Sequence, residues 1–199
     1  MYLLNNQLKD LYVMRSFKVS LLFCLLFTAA SLYGQTEVTS NSRVRWGLEQ
    51  DVLPYLTGGY YGGVWVGKSH LRGRLLLARV QKPHLIIPDG FTNNWVSAYA
   101  LVADHYHRDD LSGWWLSGGL VWWHNTIQSN LQIQTATYES YMLNGSLGYS
   151  WRFGKHFYFT PWAGMHIRVA GDNLVTVDSK SFKPAVLNPE ASLKVGWVF

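Results

Sequence analysis

The sequence predicts an all-β protein, an eight-stranded antiparallel transmembrane up-and-down β-barrel over residues 43–199. Three observations predict it. After residue 35 apolar residues recur with period two, and no stretch holds them at helical spacing over three turns. Aromatic residues make up 16% of the chain and charged ones 15%, where a soluble domain has about a quarter charged. The connections between the alternating segments are short and long by turns.

The 199 residues suit one domain. Residues 1–34 read as an upstream extension and a secretory signal peptide. Arg15 and Lys18 precede the apolar run from Leu21 to Ala30, which is too short for a helical span, and small residues lead to a cut near Gly34. Residues 1–13 lie ahead of Met14, which reads as the natural start. Residues 35–42 form an N-terminal linker. The single cysteine, Cys24, falls inside the signal, with no small residue before it to suit lipid attachment. The exported chain therefore takes its rigidity from hydrogen bonds and packing, not from disulfides. Beyond residue 34 the chain holds 14 basic and 11 acidic residues, too even and too scattered a balance for a nucleic-acid surface.

The strands follow in order. "SRVRWGLEQ" is the first, and "DVLPYL" after it reads as loop or half-turn. "GYYGGVWVGK" is the second. "HLRGRLLLARV", the third, sets Leu71, Leu75 and Leu77 against His70, Arg72 and Arg74. "NNWVSAYALVADHY" and "GWWLSGGLVWWHNTIQ" are the fourth and fifth. The sixth, "YESYMLNGSLGYSWR", is the clearest, with Tyr141, Leu143, Leu147, Tyr149 and Trp151 opposed to Ser140, Asn144, Ser146, Ser150 and Arg152. "HFYFTPWAGMHIRVA" repeats the plan. The last, "NPEASLKVGWVF", puts Pro189, Ala191, Leu193, Val195, Trp197 and Phe199 on one side and Glu190, Ser192, Lys194 and Gly196 on the other. The short connections are "GKSH", "HRDDLSG" and "RFGKH". The long ones are Gln50 to Gly59, "QKPHLIIPDGFTN", Ile127 to Ala136 and "GDNLVTVDSKSFKPAVLN".

The apolar face fits lipid. Trp114 and Trp122 are eight residues apart, about 26 Å along a strand and roughly 20 Å after tilting, close to the height of an apolar band between aromatic girdles. Trp46, Trp114, Trp151, Phe157, Trp197 and Phe199 mark the short-turn rim, and Trp95, Trp122 and Tyr141 the other. The opposite face fills a lumen that eight strands leave no wider than its side chains. Arg45, Arg72, Arg74, Arg168 and Lys194 point inward, with Glu49 and Glu190 as counter-charges and His166, Asn144 and Ser146 as partners. This is an ion-pair core in preference to an anion or proton path, because buried charges must be paired.

One outward constellation carries chemistry. If the fifth and sixth strands turn near Leu131, His124 pairs with Glu139, Trp122 with Tyr141 and Trp114 with Tyr149, and Thr126 shares the face of His124. A carboxylate that orients an imidazole beside a hydroxyl is the logic of acyl transfer, although a polar pair near lipid headgroups accounts for the same residues. Ser129 is a substitute hydroxyl out of phase with the pair. His105 and His107 alternate like metal ligands but lack a third, so neither metal nor cofactor is expected. Gly58, Gly59, Gly62 and Gly63 permit bends and close packing, since no phosphate-loop lysine or helix follows them.

These strands and the aromatic end of the last one resemble small Gram-negative outer-membrane β-barrel proteins. The resemblance implies residence in the cell outer membrane after cleavage near Gly34, with outer-membrane lipid around the wall. It implies that Trp197 and Phe199 form the signal read by the barrel-assembly machinery. It also implies a part in envelope structure or surface binding, with a surface ligand reached through loops 81–93 and 171–188. Their "HLIIP" and "NLVTV" are apolar enough to pair as strands above the membrane or to meet a partner. A narrower likeness is to the outer-membrane lipid A deacylases, which carry His-x-Ser-Asn on one strand and Glu on the next. His124 and Glu139 match, while Thr126 stands where those proteins have serine and Ile127 where they have asparagine. It implies an alternative activity, outer-leaflet lipid A or phospholipid acyl hydrolysis.

Overall fold

Period-two segments with one greasy face pair edge to edge until no edge is left, and here they close a ring. The computed structural model describes residues 43–83 and 86–199; the expected signal peptide and linker, with Cys24, and His84 and Leu85 of "HLIIP" lie outside the described residues. The strands are β1 (Arg45–Asp51), β2 (Tyr60–Lys68), β3 (Leu71–Gln81), β4 (Phe91–Tyr106), β5 (Gly113–Ser129), β6 (Thr135–Phe153), β7 (Phe157–Gly171), β8 (Val175–Val177), β9 (Lys180–Phe182) and β10 (Leu187–Val198). Eight of them form a closed antiparallel barrel in the ring order β1-β10-β7-β6-β5-β4-β3-β2, and β8 and β9 make a separate hairpin.

Closure rests on β1 and β10, paired from Gly47↔Val198 to Asp51↔Lys194. Phe199 adds a backbone bond to the Trp46 carbonyl at 2.9 Å, and the two rings stack with centroids 4.0 Å apart. "DVLPYL" contains a one-turn helix, α1 (Val52–Leu56), because the Asp51 carboxylate accepts from the Leu53 amide at 3.2 Å and caps its start. The β5–β6 ladder has the register that a turn near Leu131 requires, including Trp122↔Tyr141 and His124↔Glu139.

Two expectations about the loops need correction. The stretch Ile127 to Ala136 is half strand, since pairing continues to Gln128↔Thr135 and the loop itself spans only residues 130–134. Among the described residues "NLVTV" pairs within its own loop and not with "HLIIP": Val175–Val177 pairs with Lys180–Phe182. Both corrections share one cause. Ile127 and Tyr138 extend the barrel wall upward and bury themselves against Val175 and Phe182, so the hairpin packs on the mouth of the barrel. At about 3.3 Å per residue the 19-residue β6 is roughly 60 Å long, and its first residues form the upper wall on which the hairpin packs.

Among the described residues no helix is long and apolar enough to cross a membrane. The outward face is apolar instead. Leu75, Leu101, Leu120, Leu143 and Leu147 are all exposed, each between 48% and 62%. Towards the short turns the outward rings touch in series, Trp114 on Tyr149, Tyr149 on Trp151 and Trp151 on Phe159, with Phe157 against Trp197 further round.

Candidate functional site: the filled lumen and a polar row on the wall

The lumen is sealed by charge. Arg72 and Arg74 reach from β3, Glu49 from β1 and Asp104 from β4, and none is more than 3% exposed. Arg74 donates to Glu49 Oε1 at 2.9 Å and Asp104 Oδ1 at 2.7 Å, and Arg72 to Asp104 Oδ2 at 2.6 Å and Glu49 Oε2 at 3.4 Å. Each arginine thus bridges the same two carboxylates, the forked geometry that guanidinium favours. Lys194 lies 3.6 Å from Glu49 Oε1, and the hydroxyls of Tyr158 and Tyr61 donate to the same carboxylate at 2.9 and 3.3 Å.

Aromatic faces enclose the cations. Arg72 lies over Trp65 and Tyr106, Arg74 over Trp115, and Lys194 over Trp162 at 4.2 Å. Trp162 in turn donates to Asp51 at 2.8 Å, which also accepts from Ser192. With Asp51 included, three carboxylates face three cations, so this network is balanced in charge. Glycines on neighbouring strands make room. A Cβ on Gly196 would collide with the Tyr158 ring, and one on Gly148 with Trp115.

Of the inward set expected from periodicity, Glu49, Arg72, Arg74 and Lys194 meet. The other four do not join them. His166 and Glu190 form a separate pair at 3.0 Å nearer the long loops, with Asn144 3.4 Å from the imidazole and Ser146 bonded to Asn144. Arg45 donates to the Asp110 carbonyl at 2.7 Å, because its place near the start of β1 puts it at the short-turn end. Arg168 donates to the Asp172 carbonyl and to Asn173, because its place three residues before the end of β7 puts it at the loop end.

Sequence reasoning missed Asp104, Asp51, Tyr158 and Tyr61. Asp104 had a signal: it is in phase with Val102 and sits opposite Arg72 in the β3–β4 ladder. It was hidden because "DHYHRDD" reads as a turn. Asp51 was absorbed into the loop beyond β1.

On the outer wall, His124 Nδ1 and Glu139 Oε1 are 2.6 Å apart, and the Trp122 indole N–H donates to the other oxygen of Glu139. The backbone pairs place Tyr60, Arg79, Ser97, His124 and Glu139 in one transverse row across β2 to β6. Thr126 shares the strand face, but among the described residues no hydrogen bond joins it to His124. Ser129 faces the other way: it is buried, and its hydroxyl donates to Asp178 at 2.6 Å in the hairpin turn. It cannot serve His124, since residues of opposite parity on a strand point to opposite faces. Hence an oriented imidazole is present without a hydroxyl bonded to it.

His105 lies against His70 with ring centroids 5.8 Å apart, and no group of three or more His, Cys, Asp or Glu among the described residues is placed to hold a metal ion. No family model and no curated protein matches the chain. Among solved structures the chain is similar to a major outer membrane protein from Thermus thermophilus, at 14% identity and a TM-score of 0.49, over 79% of this chain and 100% of that one. It is also similar to Neisserial surface protein A, at 12% identity and a TM-score of 0.46, over 80% of this chain and 96% of that one. Neither likeness carries a residue's role across.

Proposed function

We propose that the protein is an integral outer-membrane barrel of a Gram-negative envelope, exported by its signal peptide, cut near Gly34 and assembled through the Trp197 and Phe199 end. It is a non-conducting wall element that contributes to envelope structure and presents its loops for surface contact. The observation that carries this reading is an inversion: charge is buried inside the ring while leucine and tryptophan are exposed outside it. Water would reverse that arrangement and lipid favours it. The filled lumen argues against a pore. Ile86, Leu131, Ile133 and Leu174 stand exposed in the long loops and offer apolar ground for a partner.

The test is heat-modifiable gel mobility of protein from a detergent-solubilised outer-membrane fraction, joined to conductance in a planar bilayer. A boiled-versus-unboiled shift without conductance is expected. A soluble periplasmic protein with no shift would overturn the reading, and steady single-channel currents would overturn its non-conducting part.

One observation favours a second reading, acyl hydrolysis of lipid A or phospholipid: the 2.6 Å contact of His124 with Glu139. It requires Thr126 as the nucleophile. Lipid from cells with wild-type protein and with His124→Ala, compared by mass spectrometry, decides it. Loss of an acyl chain that depends on His124 would establish the activity, and identical lipid would end it.

A further inference from the structure

The outward side chains of β2 to β6 are stacked in transverse rows, and the rows change character one step at a time. Leu75, Leu101 and Leu120 belong to one row, and Leu77, Trp122 and Tyr141 to the next towards the long loops. Between them runs an apolar groove of about 720 Å³, within the range of sites that hold small ligands. Gly62 opens the β2 end of the second row. A Cβ there would meet only Leu77, at an ordinary 3.7 Å, so the space is left unfilled without steric need.

One more step along the strands, about 6.6 Å, the row turns polar: Arg79 follows Leu77, Ser97 follows Tyr99, His124 follows Trp122 and Glu139 follows Tyr141. Arg79 is exposed, lies over the Trp95 ring at 5.2 Å, and has no acidic partner within 4.0 Å among the described residues. His124 sits two strands away in the same row, roughly 10 Å at the spacing of a sheet, and Glu139 holds its ring from the far side. An apolar channel that ends below an unpaired guanidinium and an oriented imidazole has the chemical order of a lipid, chain first and phosphate second.

Resting on the membrane reading above, we propose that this wall is a binding site for one phosphate-bearing lipid. An acyl chain lies in the groove between the Leu101 and Trp122 rows, and the phosphate is held by Arg79 with His124 beside it. Glu139 is a positioning residue that fixes the imidazole. No bond in the lipid is made or broken. Charge complementarity selects the occupant, because Arg79 lacks an acid of its own and an anionic headgroup supplies one.

The test uses purified full-length protein in detergent, titrated with dioleoylphosphatidylglycerol and, separately, with dioleoylglycerol, which has the same chains and no phosphate. Retained lipid is counted by native mass spectrometry. One phosphatidylglycerol bound in preference to dioleoylglycerol is expected. Arg79→Gln should weaken it roughly tenfold, as loss of one charge-assisted hydrogen bond would. Gly62→Leu should weaken both lipids by filling the groove. Val195→Leu, on β10 across the ring from β4, should change neither. Equal retention of the two lipids, or retention indifferent to both Arg79→Gln and Gly62→Leu, would overturn the proposal. Heat-modifiable mobility is recorded on every sample: its absence counts against the barrel in membrane, whereas a normal shift with no selective lipid counts against this site alone.

Discussion

The short-turn half of the lumen and its long-loop half are built on opposite principles. The first is a neutral network of arginine, lysine and carboxylate enclosed by tryptophan and tyrosine. The second holds, among the described residues, only the separate ion pair of His166 with Glu190 and is capped by an apolar plug in which Val175 and Phe182 from the hairpin meet Ile127 and Tyr138 from the wall. The first half depends on strands that are fixed by closure and cannot move apart, so charges can be matched rigidly across the ring. The second depends on a loop that folds back, and non-directional apolar contact tolerates the looser geometry of a loop. The comparison teaches where this barrel is brittle and where it is adaptable.

The largest effect should come from breaking the charge balance. Asp104→Ala leaves both arginines with one carboxylate between them. It should cost about 3–5 kcal/mol, the usual penalty for stripping one partner from a buried pair, read as a lowered urea midpoint for refolding into detergent micelles. A change below about 1 kcal/mol would mean that water, not Asp104, compensates the arginines. Next comes the wall. Leu143→Arg, exposed mid-strand, should cost about 2–4 kcal/mol in lipid, while the neighbouring inward Asn144→Ser costs little. Equal costs would count against the assigned faces. Gly196→Val pushes a side chain into the Tyr158 ring and should cost about 1–3 kcal/mol by overpacking, with the Tyr158 bond to Glu49 lost as well.

The plug half predicts a smaller and more local response. Asp178→Ala removes the acceptor of the Ser129 hydroxyl and should cost about 1 kcal/mol. Cleavage within 171–188 by added protease should accelerate while the heat-modifiable barrel persists. If the whole barrel unfolds together with the hairpin, the two halves are one cooperative unit and the contrast drawn between them fails.

Legibility followed the same division. Period two gave the eight barrel strands and the faces of Leu143 and Asn144, because alternation is a local consequence of the pleat. The His124↔Glu139 register followed from a single turn position. Alternation also predicts that Arg45 and Arg168 face inward, but not how far along the barrel each sits, and so it could not separate them from Arg72 and Arg74. Asp104 was legible in phase and obscured by its neighbours His105 and His107. The hairpin over the mouth was illegible, because "NLVTV" has the same apolar character whether it pairs with another loop or with the residues that follow it. Whether Thr126 or Ser129 serves His124 was partly legible: parity alone excludes Ser129, which faces Asp178.

The smallest expected effect lies in the β4–β5 turn, outside both halves, and it separates local from global acid sensitivity. Burial raises the Asp110 carboxyl, but the Ser112 hydroxyl at 2.6 Å, the Arg108 guanidinium at 3.4 Å and the Ser112 amide at 3.1 Å outweigh it and hold the group below the usual aspartate range. A carboxyl depressed in the folded state contributes stability that is complete above its unfolded value and disappears as pH falls through its folded one. Ser112→Ala should therefore cost about 0.5–1 kcal/mol at neutral pH and progressively less below about pH 4, where the wild-type advantage is itself titrated away. The checking measurement is the unfolding midpoint of both proteins from about pH 7 down to about pH 2, a window that spans the aspartate range. A gap that stays constant over that range would assign the loss to the Ser112 hydroxyl's packing, with the Asp110 charge playing no part.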